Sequence, residues 1–324
     1  DVTDPTADAG SDKTIDEDTS VNFSGSDSTD NDAIASYSWD FGDGGTATGE
    51  NATHTFDDPG TYTVQLTVED GAGNTDTDNI TVTVNDVTSP NADAGEDQTV
   101  NMGDSVNFDG SGSDDNVGIV NFDWDFGDGD TATGEDVTHT YENPGTYTVE
   151  LAVEDVAGNN DTDSINVTVT DSTFPTADAG ENQTVDEDTS VGFSGADSSD
   201  NVGIVSYDWD FGDGASDTGE NVTHTFDDPG TYTVQLTVED GAGNTDTDSV
   251  AVTVNDTTSP VAGAGENKTV DGDTSVAFSG AASTDNGAIA SYSWDFGDGD
   301  TATDENVTHT FDDPGTYTVK LTVE

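Results

Sequence analysis

The sequence predicts an all-β protein: four tandem immunoglobulin-like sandwiches, the last lacking its final strand. Three observations predict it: a long internal repeat, apolar residues alternating with period two, and turn-forming residues between the apolar runs. Trp39, Trp124, Trp209 and Trp294 recur at steps of 85 residues. His54, His139, His224 and His309 keep the same step. Residues 54–78 and 224–248 are identical. Such a period is too long for a solenoid repeat and suits a small independent domain. The domains are then 1–85, 86–170, 171–255 and 256–324. The fourth stops early: LTVE at 321–324 matches LTVE at 66–69, so NITVTV at 79–84 has no counterpart there.

Each apolar run follows strand periodicity. Tyr62, Val64, Leu66 and Val68 point one way, and Thr61, Thr63, Gln65 and Thr67 point the other. Ile80, Val82 and Val84 repeat the pattern, as do Val21 with Phe23 and Tyr37 with Trp39 and Phe41. No stretch shows helical spacing. Gly42-Asp43-Gly44 and Asp57-Asp58-Pro59-Gly60 are turn chemistry. About seven short strands around one buried Trp predict a sandwich, with Tyr62 placed as a tyrosine corner.

Composition sets the partners. The chain carries 71 acidic and 3 basic residues, a net charge of −68. Molar salt shortens the Debye length to roughly 3 Å and would remove most of the resulting repulsion. The acids therefore read as adaptation to high salt. An acidic disordered tail is excluded by the patterned apolar positions. With three lysines and no arginine, no cationic surface is available for nucleic acid or anionic lipid. Divalent cations are the natural ligands. Cysteine is absent, and no apolar run is long enough to span a membrane. A start at Asp1 rather than Met predicts an excised or processed piece.

The run YSWDFGDG (37–44), then THTF (53–56) and PGTYTVQLTVED (59–70), resembles the PKD (polycystic kidney disease) repeat family. FDWDFGDG (122–129), YDWDFGDG (207–214) and YSWDFGDG (292–299) carry the resemblance through the chain. It implies extracellular β-sandwiches of surface-layer proteins, adhesins and secreted hydrolases, here of a halophilic archaeal surface type. It also implies calcium binding by the loop before the WDFGDG strand, which holds Asp30-Asn31, Asp115-Asn116, Asp200-Asn201 and Asp285-Asn286.

The sandwich reading points to the same loops. Loops after the second and sixth strands cluster where the chain enters the domain. That places Asp115 and Asn116 near Asp155, with Asp86 arriving from the linker. The third repeat offers Asp200, Asn201, Asp240 and Asp171, and the fourth Asp285, Asn286 and Asp256. Several carboxylates from flexible loops suit calcium, although no EF-hand spacing exists. The GDG turns read as positive-φ hairpin residues rather than metal ligands. Each His lies in a THTF or THTY strand with no Cys or second His nearby, so a structural strand position is expected. Asp40 with Asp43 offers acid–base chemistry in principle, but recurrence in every repeat argues structure, and no enzyme is expected. Asn51, Asn221 and Asn306 share one sequon position beside an exposed turn and are the expected glycan sites.

The expected function is non-catalytic and extracellular at the cell surface: a stalk, filament or surface-layer spacer of a salt-adapted microbe. Its partners would be copies of itself or neighbouring surface proteins, with calcium stiffening the junctions. Short proline-terminated linkers, NDVTSP, TDSTFP and NDTTSP, limit inter-domain freedom. A fourth domain without its last strand invites strand donation from another copy, chain continuation, or an incomplete domain. The alternatives are an adhesive or accessory binding module of a secreted hydrolase and a fibre of a halophilic virus.

Overall fold

A computed structural model describes residues 2–324. The chain divides into two compact units, one through Asp171 and one from Ser172 to Glu324, each holding two repeats. The first repeat has seven strands: β1 (Lys13–Asp16), β2 (Ser20–Ser24), β3 (Ile34–Asp40), β4 (Thr46–Thr48), β5 (Asn51–Thr55), β6 (Gly60–Asp70) and β7 (Thr75–Asn85). One sheet runs β1-β7-β6-β3-β4 and the other pairs β2 with β5. The spine is the β6–β7 hairpin, in register from Gly60 opposite Val84 to Glu69 opposite Thr75. β1 joins β7 in parallel, with Lys13 beside Val82. The second and third repeats reproduce both sheets.

Strand pleat decides what is buried. Inward positions of β6 and β7 (Val64, Leu66, Val68, Ile80, Val82, Val84) close on Phe23 and Trp39 from β2 and β3 and on Phe41 and Phe56, which directly follow β3 and β5. Trp39 is fully buried and still satisfies its polar edge, since Nε1–H donates to the Gly49 carbonyl at 3.0 Å. The same alternation carries Asp76 and Asp78 inward near the hairpin turn. There they accept the Ala7 and Ala9 N–H groups at 2.9 and 2.8 Å, fixing the entering segment to the sheet. The tyrosine corner is present, with the Tyr62 hydroxyl donating to the Asp58 carbonyl at 2.8 Å.

A β-bulge marks the start of β3, between Ile34 and Ser36, and recurs between Ile119 and Asn121 and between Ile204 and Ser206. The extra residue turns outward, which leaves Val120 64% and Val205 67% exposed.

The fourth repeat departs further from the others than its missing last strand foretells. Its strands are Ser275–Ser279, Tyr292–Asp295, Thr301–Ala302, Asn306–Thr310 and Lys320–Val323. Among the described residues no strand equivalent to β1 forms in this repeat; in the other repeats that strand pairs only with the last one. The β6 equivalent shortens to four residues. Leu321 is 7% exposed where Leu66 is fully buried.

Because Trp39 fills the centre of its sandwich, Trp39→Ala is expected to destabilise the first repeat by about 3–5 kcal/mol. Urea unfolding followed by near-ultraviolet circular dichroism measures it, against Val2→Ala at a 94% exposed position as the neutral control.

Candidate metal centre

The junction between the first and second repeats is built from strand ends. Inward parity along Gly145–Asp155 runs Val149, Leu151, Val153 and then Asp155, so the strand that makes the core delivers a carboxylate to the domain end. Asp155 is 2% exposed. Its Oδ1 accepts the N–H groups of Ala157, Gly158 and Asn159 at 2.8, 2.7 and 2.9 Å, and Oδ2 accepts the Asn159 amide at 2.8 Å. Burial pushes its pKa up, but hydrogen bonds from Asn159, Gly158 and Ala157 together hold it below the usual carboxylate range.

Asp115 and Asp86 are each held by one oxygen. Asp115 Oδ2 accepts N–H from Val117 and Gly118 at 2.9 and 2.8 Å. Asp86 Oδ1 accepts N–H from Thr88 at 3.2 Å. Asp115 Oδ1 and Asp86 Oδ2 are buried with no hydrogen-bond partner. Oxygens of Asp86, Asp115 and Asp155 lie within 4.8 Å of one another. Burial raises the Asp86 pKa, and the neighbouring charges of Asp155, Glu17 and Asp115 raise it further. Three converging carboxylates, two of them with an orphaned oxygen, offer the kind of hard oxygen donors that divalent cations take.

The other predicted ligands fall into place unevenly. Asp30 Oδ1 is likewise buried without a partner, while Oδ2 holds the Asp32 N–H at 3.0 Å. Asn31 reaches Thr3 Oγ1 at 3.4 Å. Asp70, at the Asp155 position, is 3% exposed and caps its own hairpin turn; sequence reading left it out of the first repeat's set. The linker position of that repeat is Asp1, outside the described residues. Asp200 Oδ1 repeats the buried orphan, with Oδ2 held by Val202 and Gly203, and Asp240 caps the turn of its repeat. Asn201 follows Asp200 in that loop. Asp200 and Asp240 belong to the second unit, Asp171 to the first. In the fourth repeat Asp256 and Asp285 close over Gly287, where a Cβ would lie 2.5 Å from Asp256 Oδ2 and 3.4 Å from Asp285 Oδ2.

Asn116 and Asn286, expected among the ligands, commit their amide nitrogens elsewhere. Asn116 Nδ2–H donates to Glu17 Oε2 at 2.8 Å, and Asn286 makes the same bond to Glu187. These glutamates were missed. Glu17 is 4% and Glu187 3% exposed. Glu17 Oε1 accepts N–H from Val87 and Thr88 at 3.1 and 2.9 Å and the Thr88 hydroxyl at 2.5 Å. Burial raises the Glu17 pKa, and the hydrogen bonds of Thr88 and Val87 outweigh it. Hydrogen bonds from Thr258, Thr257 and Asn286 draw the Glu187 carboxyl down to about 2. The available signal was parity: Lys13, Ile15 and Glu17 share the inward side of β1 and its continuation, an odd place for a charge.

The GDG turn has a partner that sequence reading also missed. His54 Nε2 meets Asp43 Oδ2 at 2.6 Å while its ring stacks on Phe41 at 4.0 Å, and Asp43 Oδ1 accepts the Gly45 N–H at 2.8 Å. Gly42 and Gly44, at φ 82° and 96°, allow the turn. All four repeats carry the pair. In the second and fourth, Asp130 and Asp300 bring another carboxylate alongside. Asn51, Asn221 and Asn306 are exposed at the first residue of their strands.

A family model described as PKD domain matches residues 2–84, 87–169, 172–254 and 257–324. The chain belongs to the PKD domain family. Among curated PKD-bearing relatives, the mouse dyslexia-associated protein KIAA0319-like protein is 33% identical over 281 residues, covering 77% of this chain and 27% of its own length. Collagenase ColA of Bacillus cereus is 46% identical over 56 residues, covering 17% of this chain and 6% of its own length. The pre-pro-metalloprotease PrtV of Vibrio cholerae is 33% identical over 133 residues, covering 40% of the chain and 14% of its own length. The chain thus spans little more than a quarter of the first of these relatives. Titin domains I67–I69 superpose with a TM-score of 0.41 at 13% identity, covering 78% of this chain and 99% of that one. The relatives are metazoan and bacterial; none of those named is archaeal.

Burial raises the Asp43 pKa, and hydrogen bonds from His54 and Gly45 outweigh it, leaving it depressed. A depressed carboxyl stabilises the fold above its unfolded pKa of about 3.9 and loses that contribution as pH falls through the folded value. The destabilisation caused by Asp43→Asn is therefore expected to be present above about pH 4.5 and to shrink towards zero as pH falls below it. Urea unfolding of both proteins across that range checks it.

Proposed function

We propose that this PKD array is a non-catalytic, extracellular spacer whose repeat junctions are stiffened by calcium. One observation carries the reading: Asp86, Asp115 and Asp155 bring oxygens from the linker, a loop and a strand end to within 4.8 Å of one another, and Asp86 and Asp115 each keep a buried oxygen without a hydrogen-bond partner. Asp86 belongs to the linker, while Asp115 and Asp155 belong to the second sandwich. An ion held by all three fixes the linker to the domain it enters. Calcium fits because the donors are hard oxygens on loop and strand ends and no thiolate exists in the chain. Asp256 with Asp285 would supply part of such a set in the second unit, and exposed Asn51, Asn221 and Asn306 are the sequons we assign to glycans. The charge of −68 supports a saline setting, where screening relieves self-repulsion. Contacts with neighbouring surface proteins or further copies complete the reading.

A second reading has its own support. Collagenase ColA and the metalloprotease PrtV match parts of this chain, so service as an accessory module of a secreted hydrolase is the alternative. A catalytic domain encoded in the same gene would favour that alternative.

Thermal unfolding across sodium chloride and calcium, with a chelator control, tests the cation. Calcium at millimolar concentration and fixed ionic strength is expected to raise the melting temperature by several degrees, following RT ln(1 + [L]/Kd). Asp115→Asn is expected to reduce that gain and leave the sodium chloride response intact. If molar salt stabilises and calcium adds nothing, the acids serve the solvent alone and the cation reading falls.

A further inference from the structure

Glu17 stands at the centre of the first junction without belonging to the three converging aspartates. Its hydrogen bonds bracket them. Val87 and Thr88, which directly follow Asp86, donate to Oε1; Asn116, which directly follows Asp115, donates to Oε2. The Thr88 N–H is shared between Glu17 Oε1 and Asp86 Oδ1, at 2.9 and 3.2 Å. One side chain of the first sandwich therefore grips both the linker and the loop of the second.

The arrangement is built twice. Glu187 accepts N–H from Thr257 and Thr258 at 2.9 and 2.6 Å and the amide of Asn286, and the Thr258 N–H again reaches Asp256 Oδ1 at 3.1 Å. Thr257 and Thr258 follow Asp256, and Asn286 follows Asp285. In the second and fourth repeats the same position holds Met102 and Gly272. The glutamate thus marks the first repeat of each unit.

Only a carboxylate suits the place. It accepts on both oxygens, whereas a glutamine amide would present N–H groups to the Asn116 donor. A fourth negative charge beside Asp86, Asp115 and Asp155 also opposes folding unless its hydrogen bonds, or a cation, offset it.

We propose that Glu17 and Glu187 are positioning residues that lock the second sandwich of each unit onto the first before any ion arrives. In doing so they set the spacing of Asp86 with Asp115, and of Asp256 with Asp285, for a divalent cation. The ion-positioning half rests on the cation reading above; the lock does not.

The chain contains no cysteine, so Thr46→Cys in the first repeat and Thr131→Cys in the second, both exposed, take spin labels cleanly in the full chain. Distance distributions between the labels are measured by pulsed electron paramagnetic resonance, in chelator and through a calcium titration at fixed ionic strength. The expected result is a narrow distribution for the parent in chelator and a broad one for Glu17→Met, which installs the residue of the second repeat. Calcium should narrow the variant with a midpoint shifted upward roughly tenfold or more, the usual cost of losing a residue that orients metal ligands. Glu17→Gln should fall between, and Glu187→Met, in the other unit, should leave these labels unmoved. A Glu17→Met distribution and calcium midpoint equal to the parent's overturn the proposal. A parent indifferent to calcium, with Glu17→Met still broadened, sinks the cation reading and the ion-positioning half while the lock stands.

Discussion

Strand parity is the constraint on which the rest of this molecule depends. The alternation that turns Val149, Leu151 and Val153 into the core delivers Asp155 to the end of the sandwich. The same alternation drives Asp76 and Asp78 inward to hold the entering segment, and Glu17 inward beyond β1. A one-residue slip of any of these strands would exchange its apolar and polar faces. Core and junction therefore stand on one register, set by the β6–β7 hairpin and its equivalents.

A chain with 71 acidic residues has to manage the few that it buries. It does so with backbone donors. Asp70, Asp155 and Asp240 each cap a hairpin turn, and Glu17 and Glu187 accept from the linker that follows their own sandwich. Desolvation is offset by charge-assisted hydrogen bonds, which are stronger than neutral ones. That supply runs out at Asp86 Oδ2 and Asp115 Oδ1, buried oxygens of two carboxylates that converge with Asp155. The outer surface keeps its remaining acids in water, where salt screens them.

Relatives that match parts of this chain are large proteins of quite different kinds, from KIAA0319-like protein in mouse to collagenase and metalloprotease in bacteria. What is common to them at the level of this chain is the sandwich. Its WDFGDG run is structural: the Trp fills the core, the glycines allow the turn, and its Asp takes the His from β5. Within this chain the repeats differ at the domain ends too, where Glu17, Met102, Glu187 and Gly272 occupy one equivalent position.

The sequence by itself determined the repeated sandwich, the buried tryptophans and the tyrosine corner. Each depends on local parity or an 85-residue repeat, both visible along the chain. It also brought Asp86, Asp115 and Asp155 into one neighbourhood, because sandwich topology places those loops at one end. Tertiary structure alone decided which oxygens are spent and which are spare. It tied the Asn116 amide nitrogen to Glu17, 99 residues earlier in the chain, and paired His54 with Asp43. It also left the fourth repeat without the strand that β1 forms elsewhere by pairing with β7. Pairings of that kind leave no periodic trace, because they join residues whose separation in sequence is set by topology.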